Sequence, residues 1–302
     1  MKIVISGGTG FLGRPLTEAL AHDGHQVVVL TRQSAAGGAA RRVPWQPDGS
    51  SGAWAAELEN AGAVINLAGE SIAGRRWSAA HKNRVLDSRL LATRSLSEAI
   101  RRASAPPAVL ISGSAVGYYG PLDDRVATED TPAGHDFLAS VCVKWETAAM
   151  QASDRTRVVC IRTGLVLERD GGALPPMLTP FWFGAGGPVG SGRQFWPWIH
   201  RKDWIDLVRF AVVNKACLGP MNATAPHPVM NREFARALGR AMHRPSFMPA
   251  PAFALKLMMG EMAEALVLSG QRAIPEKAKR LGFTFTYDTL DAALASLFPR
   301  RT

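Results

Sequence analysis

Four glycines carry the first chemistry in this chain. They stand at positions 7, 8, 10 and 13 of the run Ser6-Gly7-Gly8-Thr9-Gly10-Phe11-Leu12-Gly13. Apolar residues Ile3, Val4 and Ile5 precede the run, and helix-compatible sequence follows over 14–22. A glycine turn between a first strand and a helix is a grip for a dinucleotide pyrophosphate. Without a Cβ, Gly7 or Gly8 can make the sharp turn, and Gly10 lets the backbone approach phosphate oxygens. Gly13 lets the helix pack closely on the strand. The helix N-terminus, entered through Phe11 and Leu12, offers unpaired N–H groups and a partial positive charge to the anion.

The second strand distinguishes NADP from NAD. An acid at its end accepts hydrogen bonds from the adenosine ribose 2′-hydroxyl and would repel a 2′-phosphate. Here Val27-Val28-Val29-Leu30 ends in Thr31 and Arg32, with no Asp or Glu nearby. Arg32 can pair bidentately with a 2′-phosphate and stack on the adenine face, so the expected cofactor is NADP. Two further stretches fall at C-terminal strand ends, where open α/β sheets bind ligands. Asn66-Leu67-Ala68-Gly69-Glu70 puts small residues where nicotinamide ribose and pyrophosphate pass. Ser112-Gly113-Ser114 sets hydroxyls beside the nicotinamide. Glu70 suits a base, a ligand of a ribose hydroxyl, or a structural ion pair.

The elements that must position these groups alternate as in a doubly wound parallel sheet, an α/β fold. Short, apolar, Val/Ile-rich strands are expected over 2–6, 26–31, 63–67, 108–112 and 158–162, with a further short one over 42–45. Helices are expected over 14–22, 79–102 and 137–153, with a glycine- and proline-rich loop over 34–52. After about residue 165 glycine and proline punctuate a long stretch with few periodic elements, of the kind that forms binding walls. Helical patterns return over 203–214, 231–242, 253–269 and 287–297. The expected division is a dinucleotide-binding Rossmann domain over 1–165, completed by segments near 203–225. Substrate-side loops and a smaller, mostly helical cap would follow over 166–302.

Bulk properties narrow the classes. The 302 residues are 47% hydrophobic, enough for one large core with an appendage. The three cysteines, Cys142, Cys160 and Cys217, form neither a disulfide pattern nor a zinc motif, which fits a reducing cytoplasm. No segment has the length and apolarity of a membrane span. The net charge of +10 would suit nucleic acid, but the arginines are scattered pairs without interleaved aromatics, and no nucleic-acid partner is expected. The expected partner is a small-molecule substrate, bound to a monomer or homodimer.

Together these residues resemble the extended short-chain dehydrogenase/reductases. Leu67-Ala68-Gly69-Glu70-Ser71-Ile72, Arg75-Arg76-Trp77, Ser88-Arg89, Trp145-Glu146, the run Gly186 to Gly192 and Leu268-Ser269-Gly270-Gln271-Arg272 resemble the atypical epimerase-type branch. That branch carries a C-terminal domain of unknown function. The resemblance covers essentially the whole chain. It implies NADP in a Rossmann domain, with Thr31, Arg32, Leu67, Ala68 and Arg89 at the cofactor.

The departure from the superfamily is chemical. Its usual catalytic pair is Tyr-x-x-x-Lys, in which the lysine charge lowers the tyrosine pKa for proton exchange with a substrate hydroxyl. None of the three tyrosines, Tyr118, Tyr119 and Tyr287, has a lysine four residues later. One register over 137–146 puts Leu138 and Cys142 at the two positions; the other puts Ser140 and Lys144 there. Ser114 is the best polar candidate, as a hydrogen-bond partner of a substrate oxygen or as a turn residue. Tyr118 or Tyr119 would deliver a phenolic proton or simply pack. Cys142 reads as core, and Lys144 as solvated. Arg193, Trp198 and His200 belong to the stretch that in extended members faces the substrate, and Trp196 would add an aromatic wall. Asp203 is expected to cap the next helix. The stripe Phe253, Leu257, Met258, Met262, Leu266 is expected to pack on the main domain or line a dimer contact. The sequence therefore predicts an NADP-dependent oxidoreductase or epimerase-like enzyme, acting on a sugar nucleotide or carbonyl compound, or else a silent NADP(H) sensor or scaffold.

Overall fold

A computed structural model describes residues 1–32 and 40–299. The expected loop over 34–52 therefore lies partly outside the described residues. Seven strands form the central sheet: β1 (Lys2–Ser6), β2 (Gln26–Thr31), β3 (Arg41–Pro44), β4 (Ala63–Asn66), β5 (Val109–Ala115), β6 (Arg157–Thr163) and β7 (Gly219–Ala223). They pair in the order β7-β6-β5-β4-β1-β2-β3, and every pairing is parallel. The chain runs outward from β1 through β3 and then returns to the other side of β1. That reversal between β1 and β4 is the crevice in which such sheets bind ligands.

Strand periodicity sorts the core into two layers, because successive side chains point to opposite faces. Ile3, Ile5, Val27, Val29, Ile65 and Ile111 meet α1 (Gly13–His22), through Leu16 and Leu20. Val4, Val28, Val64, Leu110 and Val158 meet α2 (Ala79–Arg102), through Ala92, Leu96 and Ile100. Next to α2 lies α3 (Phe137–Met150). The glycine- and proline-rich stretch also holds a helix, α4 (Leu174–Trp182). Pro175 and Pro176 sit in its first turn, where a missing N–H leaves no intrahelical bond unmade.

On the α1 face lies α5 (Arg201–Val213), whose Trp204, Leu207 and Val208 join the first layer. Its N-cap is His200, whose ring accepts from the Lys202 N–H at 3.1 Å; Asp203 is not the cap. Instead the buried Asp203 carboxylate accepts from the backbone N–H groups of Thr286 at 2.9 Å and Tyr287 at 2.8 Å. It thereby pins the C-terminal segment to the sheet domain.

A third cluster joins Leu174, Leu178 and Phe181 of α4 to Phe234 and Leu238 of α6 (Asn231–Met242) and to Leu290 and Leu294 near the C-terminus. The helix expected over 253–269 is broken. It becomes α7 (Ala252–Met259), then Gly260 with φ 65°, then a turn at Glu261–Ala263 and a π-helical turn at Glu264–Leu268. The break turns the stripe outward: Met262 is buried, while Phe253, Leu257 and Met258 are 75%, 76% and 73% exposed. Packing on the main body therefore holds for only part of it. No helix among the described residues is long and apolar enough to cross a membrane.

Candidate functional site

The glycine turn sits at the C-terminal end of β1. Gly7 has φ 74°, and a Cβ there would stand 2.6 Å from the Leu67 carbonyl carbon. A Cβ at Gly13 would overlap the Gly7 carbonyl oxygen, so α1 can start against the turn only with glycine at that position. The Gly10 N–H donates to the Gly7 carbonyl at 3.1 Å, closing the turn. The result is a backbone cradle that fits a pyrophosphate at a helix N-terminus.

A cleft of about 610 Å³ opens beside this cradle. It brings together Gly7, Gly10, Phe11, Leu12, Gly13, Leu67, Gly69, Glu70, Arg89 and Ser114. Below its floor, Asn66 accepts from Ser6 Oγ at 2.7 Å and donates to Thr93 Oγ1 at 2.8 Å, which fixes the end of β4. Arg89 Nη1 donates to the carbonyls of Glu70 at 3.0 Å and Val85 at 2.9 Å, and its guanidinium lies 5.1 Å from the Trp145 ring. Burial lowers its pKa.

At the end of β5 the Ser114 hydroxyl donates to Glu146 Oε1 at 2.7 Å. Glu146, on α3, is in turn clamped by Arg162 of β6, whose Nε and Nη2 reach the two carboxylate oxygens at 2.8 Å each. The Arg162 side chain is 3% exposed and that of Glu146 12% exposed. Burial opposes the Arg162 charge, but the Glu146 hydrogen bonds and carboxylate charge leave its pKa raised.

The model of the NAD dependent epimerase/dehydratase family matches residues 3–222. The chain belongs to that family. A domain of unknown function, DUF1731, matches residues 250–297. The chain is 41% identical to the epimerase family protein YfhF of Bacillus subtilis, covering 100% of this chain and 99% of that protein. It is 39% identical to the epimerase family protein SDR39U1 of Bos taurus, over 97% and 98% of the two chains. The crystal structure of human epimerase family protein SDR39U1 with NADPH superposes with a TM-score of 0.90 at 38% identity, over 98% and 99% of the chains. This is therefore an NAD(P)-binding protein of the epimerase family.

Within the family's fold, this chain's site departs from the sequence expectations at several residues. Leu138 and Cys142 both line the cleft, whereas Lys144 is exposed and neither it nor Ser140 does. The register with Leu138 and Cys142 at the usual tyrosine and lysine positions is thus the one that faces the site. Burial pushes the Cys142 thiol up to about 12, which leaves it protonated and inert.

Neither tyrosine of the pair after β5 lines the cleft. Tyr119 is fully buried; its hydroxyl donates to Asn222 Oδ1 at 2.6 Å and accepts from Arg162 Nη1 at 3.1 Å. Burial raises its pKa to about 12. The Tyr118 ring has the Arg162 guanidinium stacked 3.4 Å from its centroid. Both rings lie against the Arg162 guanidinium.

Ser112 is fully buried inside β5, because the strand runs on to Ala115, and its hydroxyl points to the Gly113 carbonyl at 3.3 Å. Ala68 is half-buried on the turn after β4, its N–H 3.3 Å from Asn66 Oδ1. Thr31 ends β2. Arg32, exposed, borders a separate groove with Trp45, Gln46, Asp48 and Ser50. Glu70 lines the cleft, and its carboxylate lies 3.5 Å from Arg84 Nε and 3.7 Å from His81 Nδ1, so a role at the ligand and an ion pair are both open to it.

The substrate-side expectation shifts by a few residues. Arg193 is exposed and not on the cleft wall. Trp198 is fully buried, donating to the His227 carbonyl at 3.0 Å, and His200 caps α5 with its ring 4.0 Å from that of Tyr287. Phe195, Trp196 and Pro197 form the wall instead. The short strands Phe195–Trp196 and Trp198–His200 lie on either side of Pro197, and only the first faces the cleft.

Proposed function

We propose that this chain is an NADP-dependent oxidoreductase in which Ser114, held by Glu146, replaces the tyrosine–lysine pair. The 2.7 Å bond from Ser114 to a clamped carboxylate at the cleft wall carries the reading. The glycine cradle would hold the pyrophosphate, and Arg32 would pair with the 2′-phosphate that distinguishes NADP; the NADPH in the human relative supports this choice. When bound, the cofactor supplies the hydride acceptor or donor.

The residues of this chain handle the proton. Ser114 commits its only hydrogen to Glu146, so its lone pairs are what the cleft receives. A substrate hydroxyl donating to Ser114 Oγ can lose its proton there while Ser114 passes its own to Glu146 Oε1. Reduction of a carbonyl runs the same relay backward. Arg162 keeps Glu146 in place through both states and balances its charge. Ser114 is itself buried, which limits the water that reaches it.

The test combines calorimetric titration with NADPH, NADP, NADH and NAD and stopped-flow detection of hydride transfer to pooled carbonyl compounds. Ser114→Ala should keep NADPH affinity and lose roughly 10²–10⁴-fold in hydride transfer rate, the usual worth of a proton-transfer group. Unchanged transfer in that variant would remove Ser114 from the reaction. A silent NADP(H) sensor is the second reading, favoured by Leu138 and Cys142 in place of the family pair. It expects tight NADPH binding with no transfer to any pool.

A further inference from the structure

The walls beyond Ser114 select a class of ligand. Leu138, Leu165, Met177, Phe195, Trp196 and Leu266 line them. The charged side chains of the cleft wall, among the described residues, are Glu70 and Arg89. Both are on the cofactor side: Glu70 follows Gly69 at the end of β4, and Arg89 packs against Gly69 while bonding the Glu70 carbonyl. Glu70 is itself an anion, and Arg89 Nη1 is committed to two backbone carbonyls. Arg193, the cation expected there, is exposed and off the wall, and the Arg272 guanidinium stacks on the Phe195 ring at 5.0 Å without lining the cleft. Ser269, at the far end, commits its hydroxyl to the Glu264 carbonyl at 2.8 Å.

A sugar nucleotide would bring a diphosphate into this space. Burying that charge without guanidinium or ammonium partners is strongly unfavourable, and phosphate recognition ordinarily recruits arginine forks. An uncharged molecule with an apolar body meets no such penalty. It gains about 25 cal/mol for each Å² of apolar surface removed from water. Its oxygen would meet Ser114, and Gln271 and the unpartnered Trp196 Nε1 are among the wall's other uncharged polar groups.

We infer that the substrate is an uncharged, largely apolar secondary alcohol or ketone, and not a sugar nucleotide. The inference rests on the proposed function for the identity of the cleft as the substrate site. Its test does not need turnover. Trp145, Trp196 and Trp204 line the cleft, so ligand entry is read from intrinsic fluorescence. The full-length protein is titrated with 2-hexanone, 2-octanone and 2-decanone, and separately with UDP-glucose, and NADPH binding is measured by calorimetry on the same preparation.

Saturable alkanone binding that tightens about fourfold for each added methylene is expected, the worth of one buried CH₂. UDP-glucose should give no saturable change. Met177→Arg, at a half-buried helical site, should remove the chain-length dependence while circular dichroism and NADPH affinity stay unchanged. Saturation by UDP-glucose, a flat alkanone series, or an unaffected series in Met177→Arg overturns the inference. Loss of NADPH binding alone would overturn the cofactor reading and leave this one standing.

Discussion

At the scale of single residues, the two ends of the proposed cofactor differ in how firmly the protein defines them. The pyrophosphate end is backbone: Gly7 and Gly13 leave no room for side chains. The adenosine end, on the proposed reading, would rest on one exposed guanidinium, Arg32, just past β2. Charge reversal there should separate the dinucleotides. Arg32→Glu is expected to weaken NADPH roughly 10- to 100-fold, the worth of a charge-assisted hydrogen bond, and to change NADH binding little. Calorimetry with both nucleotides decides it, and a parallel loss of the two would refute the 2′-phosphate role.

The same contrast explains what the sequence disclosed. A glycine cradle is a local backbone constraint, so it could be read from the eight consecutive letters Ser6 to Gly13. The Ser114, Glu146 and Arg162 constellation comes from β5, α3 and β6, and nothing in the spacing of three such common residues announces that they meet. Tyr118 and Tyr119 were attractive for their chemistry alone. Burial of Tyr119 and the Arg162 contacts of both rings, which no single-sequence pattern records, keep them off the cleft wall.

At the scale of elements, the positions of β1, β2, β4, β5 and β6 followed from apolar runs, and α2 and α6 from their periodicity, whereas β7, Gly219-Pro220-Met221-Asn222-Ala223, offers no such run. Helix α4 did not follow either, since its prolines read as breakers, although Pro175 and Pro176 occupy the first turn and only Pro180 lies inside the helix. Helix α5 makes a testable pH sensor of its cap. His200 Nδ1 accepts from the Lys202 N–H, so protonation removes the cap bond. Burial lowers the His200 pKa below its ordinary value of about 6.5. The unfolded chain therefore takes up this proton first, and stability is lost as pH falls below about 6.5. Thermal unfolding followed from pH 8 to 5 should show a smaller acid loss in His200→Asn, because asparagine caps without titrating. Identical slopes in the two proteins would clear His200 of this role.

At the scale of the whole molecule, the sheet is not finished by the segment that carries its nucleotide turn. Strand β7 and helix α5 both come from beyond residue 200, and they supply Trp204, Leu207, Val208, Met221 and Ala223 to the first core layer. Arg157, at the start of β6, donates to the carbonyls of Ala211, Val212 and Cys217, tying the end of α5 down. A fragment ending at residue 165 should therefore lack a cooperative thermal transition and bind no NADPH. A fragment ending at 225 is expected to recover both in part. Circular dichroism melts of the two would show it, and a sharply melting shorter fragment would mean that β1 to β6 suffice.

That late closure has a consequence during synthesis. Strand β6 ends at Thr163, and its outer neighbour β7 begins only at Gly219. Translation proceeds at about 5–20 residues per second, so the interval lasts on the order of several seconds. Throughout it the nascent chain presents the bare edge of a Val/Ile-rich strand to the crowded space outside the ribosome. For those seconds this protein is a client for whatever shields unpaired strands.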